Sequence, residues 1–257
     1  MSELVKEQIK LVLDGKECFC EKGEYLYDVA KRNDIFIPVL CRSDAFDDHR
    51  ACCRVCIVEV EIRGKSKVVT SCVYPVEEDC TVYTQSEKIK EERAVVMALL
   101  AHRAPESEII GGMAQGMGGT EGFARLTPLE AGKCILCGLC VQACDSLGTG
   151  AISTVLRGTE KRVDTPYGNP SKACIGCLSC ANVCPTGEIV FEENEKTRTI
   201  WKREFELVFC EECGALMGTR EMLERAAAET DWEVPKVCDA GRKKAMADEM
   251  MHTYRFV

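Results

Sequence analysis

The sequence predicts an α+β chain assembled from several small units, and three observations predict it. The N-terminal third alternates apolar and polar residues in short strand-like runs around one brief helical pattern. A compact pattern of cysteines beginning at Cys134 is repeated from Cys174. The nineteen cysteines are also unevenly spread: one group lies between residues 18 and 80, none occurs from 81 to 133, two knots fall at 134–144 and 174–184, and a sparse trio follows at 210, 213 and 238. These gaps divide the chain into 1–84, a helix and Gly-rich linker over 85–127, a repeat unit over 128–200, and a small, mainly helical, cysteine-containing tail over 201–257.

Residues 8–20 read as a hairpin, with "IKLVL" and "ECFC" flanking Asp14-Gly15 at the turn. "YLYDVAKRN" is a short helix, and "VCIVEVEI" and "KVVTSC" are two further strands. Thr84 and Glu87 have capping-box spacing and open a helix from Gln85 to Arg103, ended by Pro105. "IIGGMAQGMGGTEG" is glycine-rich and without periodicity, so a flexible connection is expected there. After residue 205, Thr219 is placed to cap a helix over "REMLERAAAE".

The formal charge of −9 and a pI near 5.1 argue against nucleic acid or an anionic membrane as partner. No stretch approaches the uninterrupted apolar length of a membrane span. "MSELVKEQIKLVLDGKE" carries charges where a signal peptide needs an apolar core. A cytoplasmic location is therefore expected, with any membrane association mediated by a partner. Because that compartment keeps thiols reduced, the cysteines read as thiolate ligands for iron–sulfur clusters or zinc rather than as a disulfide framework.

"CILCGLCVQAC" and "CIGCLSCANVC" match at every cysteine, and "TGAI" answers "TGEI" downstream. Each knot is C-x2-C-x2-C-x3-C, with Pro185 after the second. This is the pattern of bacterial ferredoxins with two [4Fe–4S] clusters. Three close thiolates on a tight loop wrap one corner of a cubane, and the fourth points away. The fourth cysteine then crosses over: Cys134, Cys137, Cys140 and Cys184 hold one cluster, and Cys144, Cys174, Cys177 and Cys180 the other. Zinc is the rival, although zinc sites rarely use so crowded a triple. Gly138 and Gly176 would let backbone N–H groups approach the cluster sulfurs.

Cys41, Cys53, Cys56 and Cys72 give C-x11-C-x2-C-x15-C. The segments "IPVLCRSDAF", "ACCRVCIVEVE" and "VVTSCVYPV" around them resemble the [2Fe–2S] domain that opens the large iron–sulfur subunit of respiratory complex I. The same domain opens [FeFe]-hydrogenases and occurs in the small diaphorase subunit of NAD-reducing hydrogenases. The resemblance runs through both knots, over roughly residues 8 to 195. It implies a β-grasp ferredoxin fold and a [2Fe–2S] cluster on those four cysteines, leaving Cys52 as a bystander. Many relatives carry a further cluster on one His and three Cys. Here His102 has no cysteine between 81 and 133 to join it, so it reads as an ordinary helix-end residue. Nothing looks like a hydrogenase active-site domain or a molybdopterin domain.

Cys210-Glu211-Glu212-Cys213-Gly214 resembles half of a zinc knuckle, with Cys238 further on. Position 241, where a second C-x2-C would close, is Gly. Asp239, His252 or a partner's group is then needed as fourth ligand, for zinc or a further cluster, unless the site has decayed. Cys18, Cys20 and Cys80 read as packing residues.

No dinucleotide fingerprint lies between a strand and a helix, and "GGMAQGMGG" is a weak phosphate-loop signal. One-electron centres without a substrate motif point to conduction rather than bond chemistry. By resemblance, the chain is an electron-transfer subunit of a multi-subunit oxidoreductase, without activity of its own. Its neighbours would be a flavin subunit oxidising NADH or NADPH and a catalytic subunit of hydrogenase or formate dehydrogenase type. The alternative is a free-standing multi-cluster ferredoxin.

Overall fold

The computed structural model describes residues 8–46, 49–119, 132–230 and 233–253, with the backbone alone for 252 and 253. The N-terminal unit is a five-stranded sheet with one helix across it. Strands β1 (Gln8–Leu13) and β2 (Lys16–Glu21) form the expected hairpin. Asp14 and Gly15 both take positive φ, +47° and +87°, as the favoured two-residue hairpin turn requires. Helix α1 (Leu26–Arg32) follows, then β3 (Ile57–Ile62), β4 (Lys65–Thr70) and β5 (Cys80–Tyr83). The sheet order is β2-β1-β5-β3-β4, with β1 and β5 parallel and the other neighbours antiparallel. This is the β-grasp arrangement.

Ile9, Leu11 and Leu13 face inward from β1 and meet Leu26, Val29 and Ala30 of α1. Cys18, Cys20 and Cys80 lie in that same core, and burial pushes the Cys20 and Cys80 thiols up to about 11.

Helix α2 (Glu87–Arg103) begins two residues later than the spacing predicts. Its cap is Ser86, whose hydroxyl accepts from the Ile89 N–H at 3.3 Å. Thr84 is engaged elsewhere: its N–H and hydroxyl donate to the Asp14 carboxylate at 2.7 and 2.5 Å, pinning the hairpin turn to the end of β5. His102 lies in the last turn of α2.

The glycine-rich stretch is not a flexible connection over its first part, because Glu108–Gly116 is a helix, α3. Ser107 caps it, accepting from the Ile110 N–H at 3.3 Å. Ile110 and Ala114 bury one face, which offsets the cost of three glycines whose missing side chains face open space. Residues 120–122 of that stretch lie outside the described residues.

The repeat unit contains α4 (Leu139–Ser146), a ribbon of β6 (Ser153–Val155) with β7 (Arg162–Asp164), and α5 (Ser179–Asn182), which stops before Pro185. Strands β8 (Glu192–Glu193), β9 (Thr197–Ile200), β10 (Arg203–Phe209) and β11 (Leu216–Thr219) then make a four-stranded antiparallel sheet. The tail therefore opens on strands before its two helices, α6 (Arg220–Thr230) and α7 (Asp239–Thr253). Thr219 caps α6, accepting from the Met222 N–H at 3.3 Å. Among the described residues no helix is long and apolar enough to cross a membrane.

Candidate metal centres

Three loops bring Cys41, Cys53, Cys56 and Cys72 together, and all four are at most 2% exposed. The Cys53 N–H donates to Cys41 Sγ at 3.4 Å. Cys41 shares hydrogen bonds with the Cys53 and Cys72 thiols, and Cys56 with Cys72. Donation from Cys53, then Cys72, pulls the Cys41 thiol far below its ordinary range; the same contacts push Cys53 and Cys72 up. This donor set fits a group that takes up thiolates in a dry site. The ligand loop holds Ala51 and Arg54 at φ of +50° and +59°, left-handed values that non-glycine residues adopt at a cost. Cys52 stands apart from the cage: it is exposed, with its Sγ 3.5 Å from the Arg50 carbonyl.

Two arginines overlooked in the sequence brace this cage. Arg93, buried on α2, donates to the carbonyls of Val55 (3.1 Å), Ile57 (2.7 Å) and Thr84 (3.1 Å). Arg42 donates to the Cys72 carbonyl at 3.2 Å and is held by Asp28 at 2.5 Å. Each links the cage to a segment distant in sequence, so no local motif announced it.

The eight cysteines of the knots divide between two cavities. One is walled by Cys134, Cys137, Cys140 and Cys184, the other by Cys144, Cys174, Cys177 and Cys180. Ile200 and Trp201 wall both. Each quartet combines three cysteines of one repeat with the last cysteine of the other. Both loops carry left-handed residues two and four positions after their first cysteine: Leu136 (+56°) and Gly138 (+80°), then Gly176 (+67°) and Leu178 (+64°). Glycine thus serves one such position in each loop, and leucine adopts the strained conformation at the other.

The fourth cysteine of each repeat meets a threonine hydroxyl. Cys144 Sγ lies 3.0 Å from the Thr149 hydroxyl and accepts the Ala151 N–H at 3.1 Å; Cys184 Sγ lies 3.5 Å from the Thr186 hydroxyl. The repeated T-G-x-I supplies both threonines. Burial acts to raise Cys184, yet the Thr186 hydroxyl and the N–H groups of Thr186, Glu188 and Ile189 bring it net below the usual thiol value. Burial pushes Cys137 and Cys140 up to about 12 and Cys180 to about 11. The Trp201 indole N–H donates to Cys180 Sγ at 3.5 Å. Four thiols around each cavity, with hydrogen-bond donors aimed at several sulfurs, fit a thiolate-bound cubane.

The cage and the first cavity are neighbours. Leu40, Cys41, Cys53 and Val55 share one apolar cluster with Ile135, Cys137 and Leu139, closed by Met97, Ile110 and Ala114 of α2 and α3. At the tail, the Sγ atoms of Cys210, Cys213 and Cys238 lie within 4.8 Å of one another. Asp239 does not join them, being paired with Arg242. The His252 side chain lies outside the described residues, but its backbone is near the far end of α7, about 20 Å of helix from Cys238.

The fold and the cysteine cages define an iron–sulfur protein of ferredoxin type. Residues 6–87 match the family model of the 2Fe-2S iron-sulfur cluster binding domain, and residues 133–188 that of the 4Fe-4S dicluster domain. The chain is 30% identical over 214 residues to the NADP-reducing hydrogenase subunit HndD of Solidesulfovibrio fructosivorans, covering 72% of this chain and 36% of that one. It is 32% identical over 205 residues to the NADPH-Fe(3+) oxidoreductase subunit alpha of Geobacter sulfurreducens, covering 71% and 24%. It thus spans about a third or less of these relatives' lengths. A solved NAD+-reducing [NiFe]-hydrogenase shares the fold with a TM-score of 0.57 at 23% identity, covering 70% of this chain and 86% of that one.

Proposed function

We propose that the chain is the electron-relaying iron–sulfur subunit of a multi-subunit oxidoreductase in the cytoplasm. It would work between a flavin subunit that oxidises NADH or NADPH and a catalytic subunit of hydrogenase or formate dehydrogenase type. Cys41, Cys53, Cys56 and Cys72 would hold a [2Fe–2S] cluster. Cys134, Cys137, Cys140 and Cys184 would hold one [4Fe–4S] cluster, and Cys144, Cys174, Cys177 and Cys180 another. Bound there, these groups supply one-electron chemistry.

The observation that carries this reading is the shared apolar cluster, in which Cys41 and Cys53 pack with Cys137. Three cysteine cages, two of them sharing one apolar cluster, suit conduction. The protein's own part is to exclude water, to aim N–H donors at sulfur, and to hold the loops apart from solvent. The related subunits named above, from NADP(H)-linked enzymes, support the choice of partners.

The test is metal analysis with EPR on the native complex. About ten iron per chain are expected from one two-iron and two four-iron clusters; about six would refute the three-cluster reading. Cys52→Ala should keep the [2Fe–2S] signal and Cys53→Ala should abolish it. Purification as a monomer free of every enzyme activity would favour a free-standing ferredoxin.

A further inference from the structure

Cys210 and Cys213 sit on the turn between β10 and β11, and Cys238 immediately precedes α7. The segment that opens α7 presents backbone N–H groups to sulfur: the Cys238 N–H donates to Cys210 Sγ at 3.4 Å, and the Gly241 N–H to Cys238 Sγ at 3.2 Å. Cys213 Sγ and Cys238 Sγ are 3.5 Å apart. A tetrahedral zinc with Zn–S bonds of about 2.3 Å separates its sulfurs by about 3.8 Å, so this trio has the span of a single ion. Among the described residues this is the one group of three potential ligands that closes to such a span.

The fourth corner has no protein ligand among the described side chains. A Cβ at position 241 would fall 2.7 Å from Cys210 Sγ, so the glycine lets the start of α7 close onto the buried sulfur. On the other side Cys213 is exposed and Cys238 half-buried. We propose that Cys210, Cys213 and Cys238 bind one zinc-class divalent cation whose fourth position is open to solvent. Structural zinc sites are closed by four protein ligands, whereas an open position accepts an exogenous ligand.

The test uses the full chain with its iron–sulfur clusters in place. Metal analysis should find about one zinc per chain. Cys213→Ser, which alters an exposed side chain, should lower zinc at least tenfold while leaving iron content and the EPR signals unchanged. After exchange into cobalt(II), the thiolate-to-cobalt and d–d bands should report a tetrahedral site, and added imidazole should shift the d–d bands. Iron lost in place of zinc would overturn the proposal, as would wild-type protein without zinc, or cobalt bands that imidazole leaves unmoved. Should Cys213→Ser fail to fold, the cobalt spectrum of the unaltered chain decides the question alone.

Discussion

The two repeats share a cysteine pattern but are secured in different ways. The first loop presses Ile135, Cys137 and Leu139 into the apolar cluster that also holds Cys41 and Cys53. The second is held from the tail side: Phe205 lies on Gly176, Arg198 donates to the Gly176 carbonyl at 2.8 Å, and Arg203 donates to the carbonyls of Ser171, Lys172 and Cys174 at 3.1, 2.9 and 2.6 Å. One loop therefore borrows its support from the N-terminal unit, the other from the sheet that follows it. Duplication supplied identical ligands, and the surroundings made the copies unequal.

The largest effects test how the quartets are shared. If each cavity takes its fourth ligand from the other repeat, Cys137→Ala and Cys184→Ala should cost the same four irons, and the double variant no more. Combining Cys177→Ala with Cys184→Ala should instead remove about eight, leaving the [2Fe–2S] signal. Iron loss in the reverse pattern would show that each repeat holds its own cluster.

Next in size comes the glycine exchange. Gly176→Ala would place a Cβ 2.8 Å from the Phe205 ring at a left-handed position, costing about 2–4 kcal/mol. Gly138→Ala meets the Arg50 side chain at 3.1 Å rather than a ring at 2.8 Å and should cost less, about 1–2 kcal/mol, chiefly as backbone strain. Loss of iron–sulfur absorbance on heating or in denaturant checks the order; equal effects would deny the second loop its special support.

The smallest effect concerns tuning. Trp201→Phe removes the indole donor to Cys180 while keeping the aromatic wall, so the more reduced, more negative cluster loses stabilisation. One of the two cubane potentials should fall and the other stay, as read by an EPR-monitored redox titration.

What the sequence made legible was local. The hairpin, its Asp-Gly turn and the doubled knots depend on residues within about ten positions, and spacing alone displays them. The cap of α2 was misread because Thr84 is taken by Asp14, a partner seventy positions away. Helix α3 was hidden by its glycines, although Ser107, Ile110 and Ala114 mark a cap and an apolar face. Arg93, Arg42 and Arg203 act across long separations, so their roles emerge only once the loops they brace are placed. In "ACCRVC" the family resemblance favours Cys53 over Cys52, and the fold separates the two by burial.

Arg93 has a consequence for charge balance. It is 4% exposed, its guanidinium donates to the backbone carbonyls of Val55, Ile57 and Thr84, and the Asp14 carboxylate acts on it from nearby. An interior cation is expensive, and burial accordingly draws its pKa down, with the nearby Cys56 and Asp14 opposing. The cage beside it would become anionic if its thiols ionised to take up metal, and the guanidinium would then serve as a built-in counter-ion. Loss of a bound cluster would weaken that compensation, so the metal-free protein should hold α2 less firmly than the loaded one.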